Sequence, residues 1–361
     1  MEVGKHEQWL LDPKELRLMP KVVLGRGSFG SVVVGYYAGS PVAVKLVQEV
    51  GFGKESLASV INEIRVLRRL RHPAIVSFYG ASLDIAGGRA SVILEWVRGP
   101  SLEQFVLQGG LPDRPMTAAD QLKAIMDICW AVSYLHSRQP SIIHGDLKGT
   151  NVVLEHDPCR YKCFRAKLLD FGLSRVLTRH VGRMSGTAMW VAPEVAQGRG
   201  NPAHSSADMF SLGRLSFFVL TGTFPFGAIR RKQAILEILR SGSLPALPWP
   251  PAGGRAAEEH RGWIEACSAG EPSERPRVDA VAGALEESLR QLVRRKARRA
   301  PEAADGDPEE KYAPLHNPPP EASETAHADQ EKHAPQQNPL PEALEAAHVD
   351  PERDAPHVLS L

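Results

Sequence analysis

A glycine-rich segment near the N-terminus sets the first limit on the fold. Gly25-Arg26-Gly27-Ser28-Phe29-Gly30-Ser31-Val32 has the G-x-G-x-x-G spacing of loops whose backbone approaches a polyphosphate. In dinucleotide-binding folds this motif opens a helix, whereas here Val32-Val33-Val34 follows, and a β-branched run favours a strand. The sequence therefore predicts a glycine loop between two strands and disfavours a Rossmann domain.

A lysine lies in the next apolar segment. Lys45 is fifteen residues after Gly30 and ends the run Val42-Ala43-Val44, whose alternation would carry the lysine to the same cleft as the glycine loop. A lone lysine on a strand is usually a solvated edge charge. A phosphate-binding role for Lys45 therefore depends on the residues around it.

The spacing of apolar residues changes along the first 300 residues. Short runs rich in Val, Ile and Phe predict strands over residues 32–37, 42–47 and 92–96, and a helical period predicts a helix over residues 57–70. Longer helical periods, such as residues 122–136 and 205–220, dominate from residue 102 onward. We expect an α+β fold with an N-terminal flank (1–18), a small sheet lobe containing one helix (19–97) and a larger helical lobe (98–299).

The C-terminal part of the chain has a different composition. Residues 301–361 hold 14 acidic and 3 basic residues, whereas residues 1–300 hold 28 and 40, so the net charge of +1 combines a basic body with an acidic tail. The tail is rich in Pro, Glu, Ala and His, and an Ala-Pro pair recurs with a period of 21 residues. Its apolar surface is too small to offset the entropy of ordering. We expect residues 300–361 to be a disordered, Pro-rich tail with repeats rather than a folded array.

Membrane and secreted proteins are disfavoured as classes. No segment approaches the roughly 20 apolar residues of a membrane-spanning helix, and Lys5, His6 and Glu7 stand where a secretion signal would have its apolar core. Among four cysteines, only Cys159 and Cys163 are close in sequence, and no second pair completes a tetrahedral metal site. We expect an intracellular, cytoplasmic protein with reduced thiols.

Three later motifs, in this order, resemble those of protein kinases. His144-Gly145-Asp146-Leu147-Lys148-Gly149-Thr150-Asn151 is similar to the catalytic loop H-R-D-L-x-x-x-N, and Asp170-Phe171-Gly172 and Ala192-Pro193-Glu194 follow it. The resemblance covers residues 9–290 and implies a two-lobed kinase fold with a small antiparallel sheet in the first lobe. Segments 9–13, 71–76, 186–190 and 271–276 are similar to the tyrosine-kinase-like group, most of whose members transfer phosphate from ATP to Ser and Thr hydroxyls of proteins.

The resemblance assigns roles around the phosphates of ATP. Lys45 would hold the α- and β-phosphates and pair with a helix glutamate. Glu63, 18 residues further on and inside the predicted helix, is the match, and Glu55 is a rival that lies ahead of the periodic stretch. Asn151 and Asp170 would bind the Mg²⁺ that bridges the phosphates.

The resemblance also assigns roles around the reacting hydroxyl. Asp146 would accept its proton, and Lys148, as in serine/threonine kinases, would neutralise charge on the transferring group. Thr187 resembles the threonine that hydrogen-bonds the catalytic aspartate and lysine. The resemblance implies three structural anchors of the large lobe, which are Glu194, Asp208 and Arg275.

An apolar pocket for adenine is expected beside the glycine loop. Such a pocket needs apolar walls and a backbone edge for hydrogen bonds, although each wall residue could equally be core. The residues that the resemblance places around ATP are Leu24, Gly25, Gly27, Ser28, Gly30, Val32, Ala43, Leu94 at the gatekeeper position, Glu95 and Val97 in the hinge, and Val153 on the floor.

Position 145 departs from the kinase pattern. Gly145 stands where most kinases have an arginine that pairs with a phosphate on the activation segment. Because that arginine does not touch ATP, we expect activity with a weaker dependence on phosphorylation of residues 170–194. Thr178 and Ser185 are the candidate phosphorylation sites there.

Alternatives to a catalytic kinase follow from the same sequence. A pseudokinase or scaffold would keep the fold without the chemistry, but such proteins usually lose the residues equivalent to Lys45, Asp146 or Asp170, and all three are present. Nucleic-acid binding or nuclear import through the basic residues 294–299 is less favoured than a solvated helix end. The opposite charges of tail and body lead us to expect an intramolecular contact between them.

Overall fold

The computed structural model describes ten stretches of the chain, and the statements below concern those residues. They are 2–27, 30–48, 54–84, 89–111, 114–156, 164–176, 188–198, 204–229, 231–251 and 254–299. Contacts divide the chain into two units, Met1–Pro301 and Glu302–Leu361, and the second lies outside the described residues. Cys159, Cys163, Thr178 and Ser185 also lie outside them.

Five antiparallel strands form a sheet in the first part of the chain. Their order is β1-β2-β3-β5-β4, so each strand up to β3 pairs with the next along the chain. Three two-stranded ribbons follow, formed by β6 with β7, β8 with β11 and β9 with β10. The strands are β1 (Leu16–Gly27), β2 (Gly30–Tyr37), β3 (Ser40–Gln48), β4 (Phe78–Asp84), β5 (Arg89–Glu95), β6 (Gly110–Leu111), β7 (Arg114–Pro115), β8 (Ile142–Ile143), β9 (Val152–His156), β10 (Phe164–Leu168) and β11 (Arg175–Val176).

Helices dominate the second part of the chain. One long helix, α2, accompanies the sheet, and the other long helices follow residue 117. None of the described helices is long and apolar enough to cross a membrane. The helices are α1 (Glu2–His6), α2 (Lys54–Leu67), α3 (Leu102–Leu107), α4 (Ala118–His136), α5 (Pro193–Gln197), α6 (Ser205–Thr221), α7 (Lys232–Ser241), α8 (Arg255–Cys267) and α9 (Val278–Arg299).

The two faces of the sheet have different environments. Val33, Val42, Val44 and Ile93 point to one face, where they pack with Leu11 in a buried cluster. Cross-strand partners share a face, and so do residues two apart on one strand. Val32 lies opposite Lys45 and Ala43 opposite Leu94, so these four side chains share the other face. The strand register thus places the predicted lysine among the predicted pocket residues.

Helix α6 forms the centre of the helical part. It is buried from Ser206 to Leu220, and α3, α4 and α8 pack around it. A helix buried on all sides has no solvent face to satisfy polar groups, so its polar residues must be satisfied internally. Asp208 in its first turn and Arg275 beside it are two such buried groups.

The α+β prediction is confirmed, and the element boundaries differ by a few residues. Helix α4 begins at Ala118 rather than at residue 122, because Thr117 and Asp120 form a capping box whose backbone and side-chain hydrogen bonds start the helix earlier. Helix α2 ends at Leu67 rather than at residue 70, because the N–H groups of Arg69 and Leu70 bond carbonyls three residues back, in tighter turns than those of an α-helix.

Candidate functional site

Lys45, Glu63 and Asp170 meet on the pocket face of the sheet. Nζ of Lys45 donates to Oε2 of Glu63 at 2.8 Å and to Oδ1 of Asp170 at 2.9 Å. The exposed fraction of the side chain is 1% for Glu63, 11% for Lys45 and 39% for Asp170. The cluster is closed around the glutamate and open at Asp170. Glu55, the rival to Glu63, lies inside α2 rather than ahead of the helix, because α2 begins at Lys54, and its side chain lies outside the described residues.

Burial and charge act in opposite directions on this cluster. Burial disfavours the ammonium of Lys45, but the carboxylates of Glu63 and Asp170 outweigh it and raise its pKa. Burial raises the pKa of Glu63, which Lys45 only partly offsets. Burial also opposes the charge of Asp170, yet Lys45 holds the pKa of that carboxyl below its usual value. Lys45 is therefore positively charged and Asp170 negatively charged at neutral pH.

Asp146, Lys148 and Asn151 form a second cluster in the loop between β8 and β9. Nζ of Lys148 donates to Oδ2 of Asp146 at 2.7 Å. Nδ2 of Asn151 donates to the same Oδ2 and to the backbone oxygen of Asp146, both at 2.9 Å. Because two donors fix the carboxylate, its orientation is set by the loop itself. The side chain of Asn151 then presents its amide oxygen as the remaining acceptor.

The loop is held in place by Asp208 of α6. Its two carboxylate oxygens accept from the backbone N–H groups of His144 and Gly145, both at 2.9 Å. Nε2 of His136 lies 2.9 Å from Oδ2 of the same carboxylate. Burial opposes the charge of Asp208, but His136, His144 and the backbone N–H of Gly145 lower its pKa. A buried, charged acceptor thus fixes the start of the loop two residues before Asp146.

His144 connects the loop to the segment after β10. Its Nε2 donates to the carbonyl oxygen of Leu169 at 3.1 Å, and its Nδ1 accepts from the N–H of Asp146 at 3.3 Å. The ring packs edge-on against Phe171 with the ring centroids 4.9 Å apart. Asp146 and Asp170 are consequently positioned by one buried imidazole.

Glu194 and Arg275 form the other predicted anchor. The guanidinium donates to both carboxylate oxygens, at 2.7 and 2.8 Å, and to three backbone carbonyls at 2.9 to 3.1 Å. A bidentate pair with additional backbone acceptors satisfies the buried guanidinium. This pair lies in the helical part and ties α5 to the segment before α9.

Three of the predicted pocket residues, Val32, Ala43 and Leu94, lie on the same face of the sheet as Lys45. Ala43 is buried, whereas Val32, Leu94, Val97 and Val153 are half-buried. Leu24 is 40% exposed on β1, directly before Gly25. Val153 pairs with Ser101 across an isolated bridge, so the floor adjoins the segment that leaves β5. The backbones of Gly25, Gly27 and Gly30 are described, and Ser28 and Thr187 lie outside the described residues.

The charged groups fit a hard cation held together with phosphate. Magnesium prefers oxygen ligands and is usually bound by one or two carboxylates plus phosphate oxygens and water. Among the described residues no cluster of three or more His, Cys, Asp or Glu side chains could hold a metal alone. Asp170, whose carboxylate is partly exposed, and Asn151, whose Nδ2 donates to Asp146, carry the oxygen atoms that the sequence predicts as ligands.

Gly145 adopts a backbone conformation that side chains rarely take. Its φ is 79°, in the left-handed region, and its N–H donates to Asp208. The glycine therefore meets the loop geometry without strain and adds no cation there.

Lys167 of β10 is a residue that the sequence interpretation missed. It is 7% exposed and forms ion pairs with Glu95 at the end of β5 and with Glu155 of β9. Oε2 of Glu95 also accepts from the N–H of Ser77 at 3.0 Å. The buried lysine thus ties the predicted hinge residue to the ribbon that carries Val153. The only sequence signal was a lysine between two apolar residues, Ala166 and Leu168.

Comparisons with known proteins agree with this geometry. A family model described as the protein kinase domain matches residues 19–284. A probable serine/threonine-protein kinase of Dictyostelium discoideum is 34% identical over 61% of this chain and 34% of its own length. Serine/threonine-protein kinase CTR1 of Arabidopsis thaliana is 31% identical over 60% of the chain and 26% of its own length. The dual specificity protein kinase splA of Dictyostelium discoideum is 34% identical over 56% of the chain and 9% of its own length.

These relatives are longer than the region they share with the chain, which spans about a third of the first and less of the other two. The family match covers well over half of the chain and includes every described residue of both charged clusters. The chain therefore belongs to the protein kinase domain family.

Proposed function

We propose that this chain is a serine/threonine protein kinase of the tyrosine-kinase-like group, which transfers the γ-phosphate of ATP to protein hydroxyls with Mg²⁺. The protein kinase family uses ATP and a divalent metal, generally Mg²⁺, and acts on proteins. The observation that carries the proposal is that Lys45 contacts both Glu63 and Asp170, while Asp146 is held separately by Lys148 and Asn151. The cluster around Lys45 can bind the phosphates of ATP, and the cluster around Asp146 can bind the acceptor hydroxyl of the substrate.

The acceptor side is governed by Asp146. Its carboxylate is fixed by Lys148 and Asn151, so a substrate hydroxyl that donates to it is held in one orientation. Asp146 then accepts the proton as the oxygen attacks phosphorus. The ammonium of Lys148, 2.7 Å from the same carboxylate, lies where it can offset negative charge on the transferring group.

The phosphate side is governed by Lys45 and Asp170. Asp170 and Asn151 would hold Mg²⁺, which would supply charge neutralisation at the phosphates. Glu63 holds the ammonium of Lys45 in place, and this ammonium contacts the α- and β-phosphates in the proposed complex. Gly25, Gly27 and Gly30 give the loop above them a backbone that approaches phosphate closely.

The adenine is assigned to the half-buried apolar residues beside this cluster. Val32, Ala43 and Leu94 share the face that carries Lys45, and Val153 adjoins the segment after β5. Backbone groups between Glu95 and Val97 supply the polar edge. Because all these residues accompany an intact charged cluster, we favour catalysis over a pseudokinase.

The proposed kinase also includes the domain limits 19–97 and 98–299. The hydroxyl of Thr187, a residue outside the described stretches, donates to Asp146 and accepts from Lys148 in this proposal. The acidic tail makes a salt-sensitive contact with the basic body. Truncation at residue 300 that left both the rate and its salt dependence unchanged would remove the tail contact. Intracellular signalling is the expected role, in the cytoplasm.

Phosphate transfer from labelled ATP tests the proposal. The full chain is incubated with Mg²⁺ and a basic protein substrate, beside Asp146→Asn and the surface control Glu258→Gln, whose side chain is exposed on α8. We expect phosphoserine and phosphothreonine with the unmodified chain and the control, and a loss of at least about 100-fold in Asp146→Asn. Phosphotyrosine would correct the acceptor class. Folded protein that binds ATP and transfers no more phosphate than the mutant would overturn the catalytic proposal in favour of a pseudokinase.

A further inference from the structure

Helix α2 makes a second contact with the segment that follows β10, one residue away from Glu63. Nδ2 of Asn62 donates to the carbonyl oxygen of Ser174 at 2.5 Å. Glu63 meanwhile reaches Asp170 through the shared ammonium of Lys45. Two consecutive residues of one helix therefore hold the two ends of the segment from Asp170 to Ser174.

Ser174 is a fixed point of this segment. It is fully buried, its N–H donates to the carbonyl of Phe171 at 3.0 Å, and its Oγ donates to the carbonyl of His144 at 3.0 Å. The next two residues, β11, pair with β8 just before the loop that carries Asp146. The carbonyl that Asn62 binds thus belongs to a residue already attached to the catalytic loop, so Asn62 joins α2 to that loop.

The two contacts of α2 respond differently to a bound nucleotide. The link through Lys45 consists of charges, and phosphates and a divalent cation compete for both Lys45 and Asp170 when they bind. The link through Asn62 is a neutral amide-to-carbonyl hydrogen bond outside that competition. Phosphates and a cation therefore do not compete for it, nor for the N–H of Phe171, which bonds Glu63.

Gly145 makes the hydrogen bond between Asn62 and Ser174 more important. The residue before Asp146 carries no side chain, so the loop offers no cation at that position for a phosphate on the activation segment. The start of the segment is instead tied by the hydrogen bonds of Ser174 and by the β8–β11 pairing. These ties need no phosphate.

We infer that Asn62 is a positioning residue, which keeps α2 in register with Asp170 while Mg²⁺ and the phosphates of ATP take over the partners of Lys45, independently of phosphate on the activation segment. This inference rests on the proposed function and deepens it. Asn62 acts through Glu63 and Asp170 and touches no reacting atom.

Three substitutions test the role of the amide. Asn62→Asp keeps the shape and loses the donor, Asn62→Ala removes the group, and Asn62→Gln keeps the amide on a longer side chain. Ile61→Ala is the matched control, because Ile61 is the preceding residue of α2 and is 45% exposed. Each protein is made as the full chain and treated with phosphatase before the assays.

For Asn62→Asp and Asn62→Ala we expect kcat to fall about tenfold, which is the effect of about one lost hydrogen bond in the transition state. The Mg²⁺ concentration for half-maximal rate should rise, and KM for the protein substrate should not change. Asn62→Gln should recover part of the rate. The unfolding temperature should fall by no more than about 3 °C, and Ile61→Ala should match the unmodified chain.

Hydrogen exchange of the nucleotide-free proteins gives a readout that does not depend on activity. We expect faster exchange at the amides of residues 171–176 in Asn62→Asp and Asn62→Ala, with α4 unchanged. Equal exchange, equal kcat and an equal Mg²⁺ requirement in all variants would overturn the inference. If the unmodified chain loses its rate on phosphatase treatment and regains it when it is phosphorylated again, the part of the inference that concerns independence from phosphate is overturned. If the unmodified chain transfers no phosphate, the proposed function fails, and the exchange data still decide the role of Asn62.

Discussion

Two buried carboxylates organise this kinase domain in contrasting ways. Glu63 lies against the ammonium of Lys45, which also contacts Asp170, so charged side chains from distant segments are its main neighbours, together with the N–H of Phe171. Asp208 accepts from two backbone N–H groups and lies beside His136, so its surroundings are mostly fixed backbone. At Glu63 the effect of burial is larger than that of the partners, so the pKa is raised. At Asp208 the effect of the hydrogen-bond and charge partners is larger than that of burial, so the pKa is lowered.

The difference separates positioning for chemistry from structural support. Charged side chains can exchange partners when a nucleotide arrives, but backbone donors cannot leave without unfolding the loop. A buried carboxylate whose pKa is lowered on folding stabilises the folded state at neutral pH. A buried carboxylate whose pKa is raised destabilises the folded state at neutral pH, so it is retained for a reason other than stability. We therefore expect mutation of Asp208 to act on stability and mutation of Glu63 to act on rate.

Asp208→Ala should have the largest effect. It would leave the N–H groups of His144 and Gly145 buried without their acceptor and remove the charge beside His136. We expect the free energy of unfolding in urea to fall by about 3 to 5 kcal/mol, a large part of the stability of a typical domain. Activity should fall with it, because the loop that carries Asp146 loses its support.

The control for this prediction is Asp279→Ala. Asp279 is 61% exposed and contacts Arg277 and Ser133, so its removal should cost less than about 1 kcal/mol. Asp208→Asn, which keeps one acceptor oxygen, should fall between the two and yields folded protein if the alanine variant does not fold. Equal losses for Asp208→Ala and Asp279→Ala would contradict the structural role of Asp208.

Glu63→Gln should show the opposite pattern. The amide keeps the shape of the side chain and removes the charge that holds Lys45, which then keeps its ion pair with Asp170. We expect kcat/KM for ATP to fall about 100-fold, which corresponds to about 2.7 kcal/mol of transition-state stabilisation. The free energy of unfolding should stay the same or rise, because burial already disfavours the charged carboxylate.

The Glu258→Gln variant serves again as the control for removing a glutamate charge at an exposed site. Steady-state kinetics and urea unfolding on the same preparations separate the two effects. A large loss of stability in Glu63→Gln, with kcat/KM reduced only in proportion to the unfolded fraction, would make Glu63 a structural residue like Asp208 and remove the contrast.

The residues with a recognisable spacing were accessible from the sequence. Lys45, Asp146 and Asp170 lie in short motifs, and the helical period around Glu63 favoured it over Glu55. These motifs are local, so a single chain displays them. The strands and helices also followed from periodicity, because burial on one face imposes a period of 2 or 3.6 residues.

The residues that connect the motifs were not accessible in the same way. Asn62 binds a carbonyl 112 residues further along the chain, and Lys167 pairs with Glu95, which lies 72 residues before it. No motif marks Asn62, and only the apolar neighbours of Lys167 mark that residue, since an asparagine on a helix and a lysine on a strand are ordinary surface residues in sequence. Only the packed arrangement brings their partners within reach.

A smaller effect is expected in how the contribution of Asp208 to the free energy of unfolding depends on pH. Because the pKa of Asp208 is lower in the folded chain than the ordinary value of about 3.9, the unfolded chain takes up the proton first as the pH falls. The stabilisation by this carboxylate is therefore complete above about pH 5 and is lost as the pH falls through its folded pKa.

Urea unfolding of the unmodified chain and of Asp208→Asn, between about pH 3 and pH 7, measures this contribution. The difference in the free energy of unfolding between the two proteins should be largest at neutral pH and shrink as the pH falls. Asp170, whose pKa is also lowered, titrates in both proteins and cancels from the difference. A difference that stays constant with pH would mean that the ionised and protonated forms of Asp208 stabilise the folded chain equally. The support of the catalytic loop would then rest on hydrogen-bond geometry alone, without the charge.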